Sequence, residues 1–134
     1  MTEHVALIRL SWPARPLWQN TRCHWSKRDK ATSAHRKEAW TLALEHGVKK
    51  IETDRPYLTF AFHPPDNRKR DLQNMPATMK AAIDGISDAI GIDDEDFRCR
   101  WPMEFSNVVK GGCVMIEVRA CPSVVEVPFR GQIA

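Results

Sequence analysis

The residues best suited to chemistry in this chain are acids and one lysine in its second half. Asp71 comes first, then Lys80 and Asp84 at an interval of four, and then the acidic run 93–96. Clustered carboxylates suit a hard divalent cation such as Mg²⁺, which takes oxygen ligands and keeps several waters. Such an ion activates water and stabilises charge on a phosphate, and a nearby lysine can stabilise the leaving oxygen. The pattern therefore indicates metal-dependent phosphate chemistry.

Each of these residues also has an ordinary structural explanation. Acids near a helix start are favoured by the helix dipole. Lys80 and Asp84 have the spacing of a weak ion pair on a helix surface. An acidic run after a helix is typical of a solvated loop. The residues by themselves therefore leave a metal site and an acidic surface both open.

Basic residues concentrate in the other half of the chain. Residues 1–70 contain 14 Lys and Arg against 7 Asp and Glu, whereas residues 71–134 contain 6 against 10. A basic half favours a polyanion partner such as DNA, although a solvated surface with a chance imbalance would look the same. The candidate contacts to DNA phosphates are Arg22, Lys27, Arg28, Lys30, Arg36, Lys37, Arg68, Lys69 and Arg70.

Several function classes are disfavoured by the sequence. Cys23, Cys99, Cys113 and Cys121 form no CxxC pair, so we expect reduced thiols and no structural zinc site. The first residues do not show the basic start and apolar run of a signal peptide. No stretch approaches the roughly 18 apolar residues of a membrane helix. We therefore expect a cytoplasmic protein with no membrane association.

Hydrophobic periodicity predicts the elements that position the candidate site. The expected order β, α, β, α, β, β gives a small single α/β domain with a mixed sheet and two main helices packed on it. This domain would cover 1–121, and the tail 122–134 would be an edge strand, an arm to a partner subunit, or disordered. We expect strands at 4–10, 56–63, 97–108 and 113–120, and helices at 31–50 and 75–90.

Local signals set the expected ends of these elements. Thr32 or Ser33 would cap the first helix, Asn74 would cap the second with Pro76 in its first turn, and Gly91 would end it. The turn 110–112 (KGG) predicts a hairpin between the last two strands. A helix of fifteen residues spans about 22 Å. Asp94 would thus lie far from Asp71 unless the chain folds back or a partner subunit completes the site.

The acidic segment resembles a known nuclease family. The ordered series Arg70-Asp71-x-x-Asn74, Lys80-Ala81-x-x-Asp84-Gly85, then a hydrophobic residue and Asp93-Asp94, is similar to the core of RusA-like Holliday-junction resolvases, in particular phage-borne ones. Asn20, His24-Trp25 and the basic stretch 27–30 are similar to the N-terminal part of that family. The resemblance covers about residues 5–120. It implies a homodimeric α/β nuclease that uses Mg²⁺ or Mn²⁺ and nicks opposed strands of a four-way junction symmetrically.

The resemblance also assigns roles to residues. Asp71 and Asp94 match catalytic aspartates, and Lys80 matches the catalytic lysine. Asp84 and Asp93 match acidic positions beside them and join Asp71 and Asp94 as candidate metal ligands. The family's best-known motif has an aspartate where this chain has Gln73, which offers a metal a carbonyl oxygen but no charge.

Three functions follow as alternatives. The first is an active junction nuclease. The second is a protein of the same fold that binds branched DNA with weak or lost cleavage, because of Gln73. The third is a small interaction protein whose acids only keep it soluble. Within the first two, Trp18 and Trp25 would stack at an opened branch point, although tryptophans near a first strand more often belong to the core or to a dimer contact.

Overall fold

The computed structural model describes residues 4–18 and 21–120 of the 134-residue chain. Asn20, Cys121 and the predicted tail 122–134 lie outside the described residues.

Four strands form one mixed sheet in the order β1-β4-β2-β3. The strands are β1 (Ala6–Ser11), β2 (Pro56–His63), β3 (Arg98–Arg100) and β4 (Cys113–Ala120). β4 pairs antiparallel with both β1 and β2, whereas β3 pairs parallel with β2. With the helices described below, this confirms the predicted small α/β domain with a mixed sheet.

One face of this sheet carries the core. Side chains alternate between the two faces of a strand, so every second residue of β1, β4 and β2 is buried. The paired registers place these residues opposite one another across three strands. The resulting rows are Ala6, Val118 and Leu58; Ile8, Ile116 and Phe60; and Leu10, Val114 and Phe62.

The helices are α1 (Trp25–Glu45), α2 (Met75–Thr78) and α3 (Lys80–Ile90). α1 packs chiefly against α3. Their backbones approach closely at Gly85, where an added Cβ would lie 2.2 Å from the carbonyl oxygen of Arg36. Because only glycine fits at this point, the α1–α3 packing depends on one residue of the candidate site motif.

The first helix begins six residues before its predicted start, and Thr32 and Ser33 lie inside it. His24 is the true N-cap, since its Nδ1 accepts a hydrogen bond from the Ser26 backbone N–H at 3.1 Å. Sequence patterning missed this because histidine is not a usual capping residue. The helix also ends at Glu45 rather than residue 50, and Gly47 follows with a φ of 77°.

The second predicted helix is divided in two. Met79 has φ −95° and ψ 0°, which separates α2 from α3. Asn74 is the N-cap residue of α2, as predicted, but its side chain makes no capping hydrogen bond. Pro76 does lie in the first turn, and Gly91 ends α3 with a φ of 80°. Met75, Met79, Ala82 and Ile86 recur at intervals of three and four and are all buried, in agreement with the periodicity that predicted a helix here.

The predicted hairpin between the last two strands is wrong. β3 is only three residues long and lies on the far side of β2 from β4. After β3 the chain runs beside the end of β2, where the Ser106 N–H donates to the Phe62 carbonyl and the Val109 N–H to the Pro64 carbonyl. A turn closed by the Gly112 N–H and the Val109 carbonyl then leads across β2 into β4. The turn at the double glycine therefore connects two segments on opposite sides of β2, instead of two neighbouring strands.

Within residues 4–18 and 21–120, no helix is both long and apolar enough to cross a membrane.

Candidate active site

Lys80 connects the two acidic parts of the motif. Its Nζ lies 2.9 Å from Asp84 Oδ1 and 2.7 Å from Asp94 Oδ2. Asp84 is one turn further along α3, as the spacing of four requires. Asp94 comes from the segment beyond the helix, fourteen residues away in sequence. We call Lys80, Asp84 and Asp94 the lysine–aspartate cluster.

A chain reversal after α3 delivers Asp94 to this cluster. Gly91 takes the left-handed conformation, and the Ser87 hydroxyl donates to the Ile92 carbonyl at 2.6 Å. Asp93 Oδ1 then accepts the Glu95 N–H at 3.0 Å and caps a short 3₁₀ turn, Asp94–Asp96. One subunit thus brings Asp94 back to Lys80 before β3 begins. Neither a return strand nor a partner subunit is needed for this contact.

The hydrogen bonds of the cluster favour the charged forms of Lys80 and Asp94. The hydrogen bond to Asp94, and next the one to Asp84, raise the pKa of Lys80 above its ordinary value. The hydrogen bond from Lys80, and next one with Asp93, lower the pKa of Asp94. The cluster is open to solvent, because Lys80 is 67% exposed while Asp84 and Asp94 are 26% and 30% exposed. A phosphate oxygen can therefore approach the lysine from solution.

Asp71 stands at a different place, at the entrance to α2. Its Oδ1 accepts the Gln73 N–H at 3.0 Å and caps the 3₁₀ turn Leu72–Asn74. Asp71 and Gln73 line a cavity of about 560 Å³ whose other walls include Leu72, Pro76, Trp101 and Met103. Among the described residues, no hydrogen bond or ion pair joins Asp71 to the lysine–aspartate cluster. The predicted acids therefore fall into two groups, one at the lysine–aspartate cluster and one at the cavity beside Asp71.

The donor chemistry of the cluster fits a hard cation. Mg²⁺ is commonly held by one or two carboxylates and several waters, and Asp84 and Asp94 supply two carboxylates. Lys80 bonds one oxygen of each, and the second oxygen of Asp84 is left as a ligand, whereas Asp94 also bonds Asp93. In the described part of the chain, however, no group of three or more His, Cys, Asp or Glu residues lies close enough to hold a metal.

The predicted basic contacts divide into engaged and exposed side chains. Arg70 bonds the Asp66 carboxylate at 2.8 Å and also lies 5.6 Å from the centre of the Trp12 ring. Arg36 pairs with Asp88, and Arg28 donates to the Thr21 carbonyl at 2.8 Å. Arg68 is 79% exposed and lies 3.9 Å from the Asp66 carboxylate. The other members of the set are all exposed: Arg22, Lys27, Lys30, Lys37 and Lys69.

The two tryptophans singled out in the sequence have different surroundings. Trp18 lies 6.1 Å from Trp12, ring centre to ring centre, and its indole N–H donates to the Pro13 carbonyl. It packs against the core, in agreement with the alternative that a tryptophan near the first strand belongs to the core. Trp25 is 70% exposed at the start of α1, with its ring 5.4 Å from that of His24. Only Trp25 of the two offers a free aromatic surface.

Sequence patterning missed Trp101 as a site residue. Its ring stacks on Phe60 with centroids 4.2 Å apart and forms one wall of the cavity beside Asp71. Trp101 lies inside the predicted strand 97–108 and just after the observed β3, and no signal in the sequence separated it from the four other tryptophans.

Comparisons with known proteins place the chain among relatives without assigning an activity. No protein-family model matches it. It is 35% identical over 119 residues to a Xylella fastidiosa protein described as uncharacterized, a match that covers 87% of this chain and 77% of that protein. The chain therefore belongs to the same family as this Xylella fastidiosa protein.

Proposed function

We propose that this protein is a metal-dependent endonuclease of the RusA-like type, which resolves four-way DNA junctions by paired symmetric nicks. The observation that carries the proposal is the lysine–aspartate cluster. It joins Lys80 to Asp94, two of the three residues to which the resemblance gives catalytic roles, and to Asp84, a candidate metal ligand. A surface ion pair needs no second carboxylate from a separate segment, whereas a phosphate-cleaving site needs both signs of charge together.

The roles of the residues follow from their chemistry. Asp84 and Asp94 would hold Mg²⁺ or Mn²⁺, with Asp71, Gln73 and Asp93 as the further ligands that the resemblance suggests. A divalent ion supplies an activated water and charge stabilisation on the phosphate. Lys80 carries three donors and uses two of them on Asp84 and Asp94. Its third N–H is available to a phosphate oxygen, where it stabilises the charge that develops on the leaving group.

DNA binding would rest on the exposed cations. Arg22 precedes α1 and Lys27 and Lys30 lie in its first turns, whereas Arg68 and Lys69 lie three and two residues before Asp71 in the chain. Contacts from such side chains to phosphates recognise charge and shape rather than sequence. Paired nicks on opposed strands call for two active sites, so we propose a homodimer. This activity would place the protein in the cytoplasm with the DNA.

Incubation with a labelled four-way junction and a matched duplex tests the proposal. With Mg²⁺ or Mn²⁺ we expect paired nicks in the junction and little cutting of the duplex. Asp94→Asn keeps the size of the side chain and serves as the matched inactive control. Nicking that survives in Asp94→Asn or in EDTA, or no nicking with either metal, would contradict a metal-dependent nuclease.

One observation favours the second candidate, a branched-DNA-binding protein with weak cleavage. The described residues hold no preformed group of three metal-binding side chains, and Gln73 replaces an acid of the resembled motif. The same incubation separates the two, because this candidate binds junctions without nicking them. An interaction protein, the third candidate, would show no junction binding that weakens with added salt.

A further inference from the structure

The cavity beside Asp71 has features that a phosphate-cleaving site does not need. Trp101 forms one wall, Leu72 and Pro76 contribute apolar surface, and Met103 stands at the rim with 94% of its surface exposed. The volume of about 560 Å³ lies within the range of about 300–1,000 Å³ that is typical of small-ligand sites. Apolar walls of this kind bind a ring, not a phosphate.

The polar groups of the cavity suit the edge of a heterocycle. Gln73 is exposed, and within the described residues its side-chain amide makes no hydrogen bond. A glutamine amide offers a donor and an acceptor side by side, which is the arrangement that pairs with a nucleobase edge. Asp71 adds a carboxylate whose Oδ1 is already bonded to the Gln73 N–H.

The surroundings of the cavity indicate that the ring belongs to a nucleic acid. Arg68 is 79% exposed, Lys69 is also exposed, and both lie on the loop that leads directly into Asp71. Their charges can hold phosphates of the strand whose base enters the cavity. The Trp101 ring is fixed by its stack on Phe60, so it presents a rigid surface for base stacking.

We propose that this cavity takes an unpaired nucleobase of the DNA, stacked against Trp101 with its edge toward Gln73. The inference rests on the proposed function, since it supplies that function with a means of selecting branched over perfectly paired DNA. A duplex keeps its bases stacked, and extruding one is unfavourable, whereas a base at a branch point is already partly unstacked. Gln73 thereby acts in base recognition, in place of the metal-ligand role that the resemblance suggests for it.

A fluorescent base analogue tests this directly. A four-way junction carries fluorescein on one end and 2-aminopurine at the branch point, and a matched duplex carries 2-aminopurine in a paired position. Full-length protein is titrated in EDTA, so that metal binding and cleavage do not contribute. We expect anisotropy to rise for the junction, and 2-aminopurine fluorescence to fall severalfold because stacking on an indole quenches it.

Two variants and one control make the test specific. Trp101→Leu keeps an apolar contact with Phe60 but cannot stack, so the quench should disappear and junction affinity should fall about tenfold. Gln73→Ala changes an exposed side chain and should weaken junction binding severalfold without affecting the duplex. Trp40→Leu removes a tryptophan that is 40% exposed on α1, away from the cavity, and should behave as wild type. Thermal melting verifies that each variant is folded.

The outcomes separate this inference from the proposed function. Anisotropy that rises without quenching, or quenching that persists in a folded Trp101→Leu, overturns the base pocket and leaves junction binding intact. If Trp101→Leu does not fold, an unchanged junction affinity in Gln73→Ala overturns it instead. No anisotropy change with any DNA overturns both proposals.

Discussion

Arg36 and Asp88 join α1 to α3 through two parallel hydrogen bonds. Arg36 Nε lies 2.7 Å from Asp88 Oδ2, and Nη2 lies 2.9 Å from Oδ1. The bidentate geometry suits guanidinium and carboxylate groups. Arg36 was expected to contact DNA phosphates, but it is instead bonded to Asp88, next to the close approach at Gly85.

We predict that Asp88→Asn lowers the free energy of unfolding slightly at neutral pH. The bond from Arg36 lowers the pKa of Asp88 from its ordinary value of 3.8. A lowered pKa stabilises the fold above the ordinary value, and this contribution disappears as the pH falls through the lowered one. Urea unfolding should therefore separate wild type from Asp88→Asn at pH 7 but not at strongly acidic pH. The same Asp88→Asn substitution is also made in an Arg36→Gln background. If it lowers the free energy of unfolding there by as much as in wild type, Arg36 and Asp88 are not coupled.

Gly85→Ala should destabilise the protein strongly. Alanine is favoured over glycine in a helix by about 1 kcal/mol. The added Cβ would nevertheless lie 2.2 Å from the Arg36 carbonyl oxygen, which forces the helix backbones apart. Overpacking of this kind costs about 3 kcal/mol, so the clash outweighs the helix preference.

Gly91→Ala is the matched control for that change. Gly91 has open space around it but a φ of 80°, and alanine there costs about 1 kcal/mol. Chemical denaturation of both variants measures the two effects. A smaller loss in Gly85→Ala than in Gly91→Ala would contradict the close packing of α1 on α3.

Acid should weaken the fold through His35. This residue is 5% exposed, and its Nε2 makes no hydrogen bond within the described residues. Burial lowers its pKa below 6.5, although Glu38 opposes the shift. Near pH 6.5 the His35 side chain therefore binds a proton in the unfolded chain but not in the folded chain. The free energy of unfolding falls as the pH drops below about 6.5.

His35→Leu should reduce this acid sensitivity in unfolding measured between pH 7 and 5. His46→Leu, at an exposed position just beyond the same helix, should retain it; equal slopes in all three proteins would exclude His35 as the cause.

Under the proposed function, Lys80→Ala should reduce junction cleavage by far more than it reduces binding. Lys80 is held by Asp84 and Asp94, and its remaining donor acts on charge that develops only in the transition state. Single-turnover cleavage and anisotropy in EDTA give the two quantities. Lys37→Ala removes an exposed lysine of α1 and controls for the loss of one charge. Equal effects of Lys80→Ala on both quantities would make Lys80 an ordinary phosphate contact.

Asp71→Asn and Asp94→Asn should each abolish metal-dependent cleavage while junction binding persists, because a hard cation needs anionic oxygens. The two differ in what else they disturb. The Asp94→Asn change removes the ion pair with Lys80, whereas Asp71→Asn keeps a side chain that can cap the Leu72–Asn74 turn. Cleavage at the wild-type rate by either variant would remove that residue from the active site.

The fold was predictable where periodicity is regular and unpredictable where pairing is decided by distant residues. Alternation identified β2 as 56–63 and β4 as 113–120, the bounds that the structure shows, because burial on one face imposes a period of two. The double glycine at 111–112 correctly indicated a turn. It could not indicate that β2 lies between the segments on either side, since strand order is a tertiary property.

The candidate site was predictable to a similar degree. The spacing of Lys80 and Asp84 fixed their contact, because helix geometry places residues four apart on one face. The contact with Asp94 depended on the Gly91 reversal and the Ser87 hydroxyl bond, which no local rule specifies. Asp71 was identified by type, but its position at a cavity walled by Trp101 follows only from the packing of the segment after β3.

The strand order also governs how the chain must assemble. β1 and β2 share no hydrogen bonds; each pairs with β4, which is the last strand of the described chain. While the chain emerges from the ribosome, β1 therefore stays unpaired until a segment more than a hundred residues downstream has been synthesised. The sheet cannot close before the full described length is present. Such distant pairing implies slow, all-or-none folding. A nascent or truncated chain that stops before β4 would expose two apolar strands, and would be a substrate for chaperones and proteases rather than a smaller working protein.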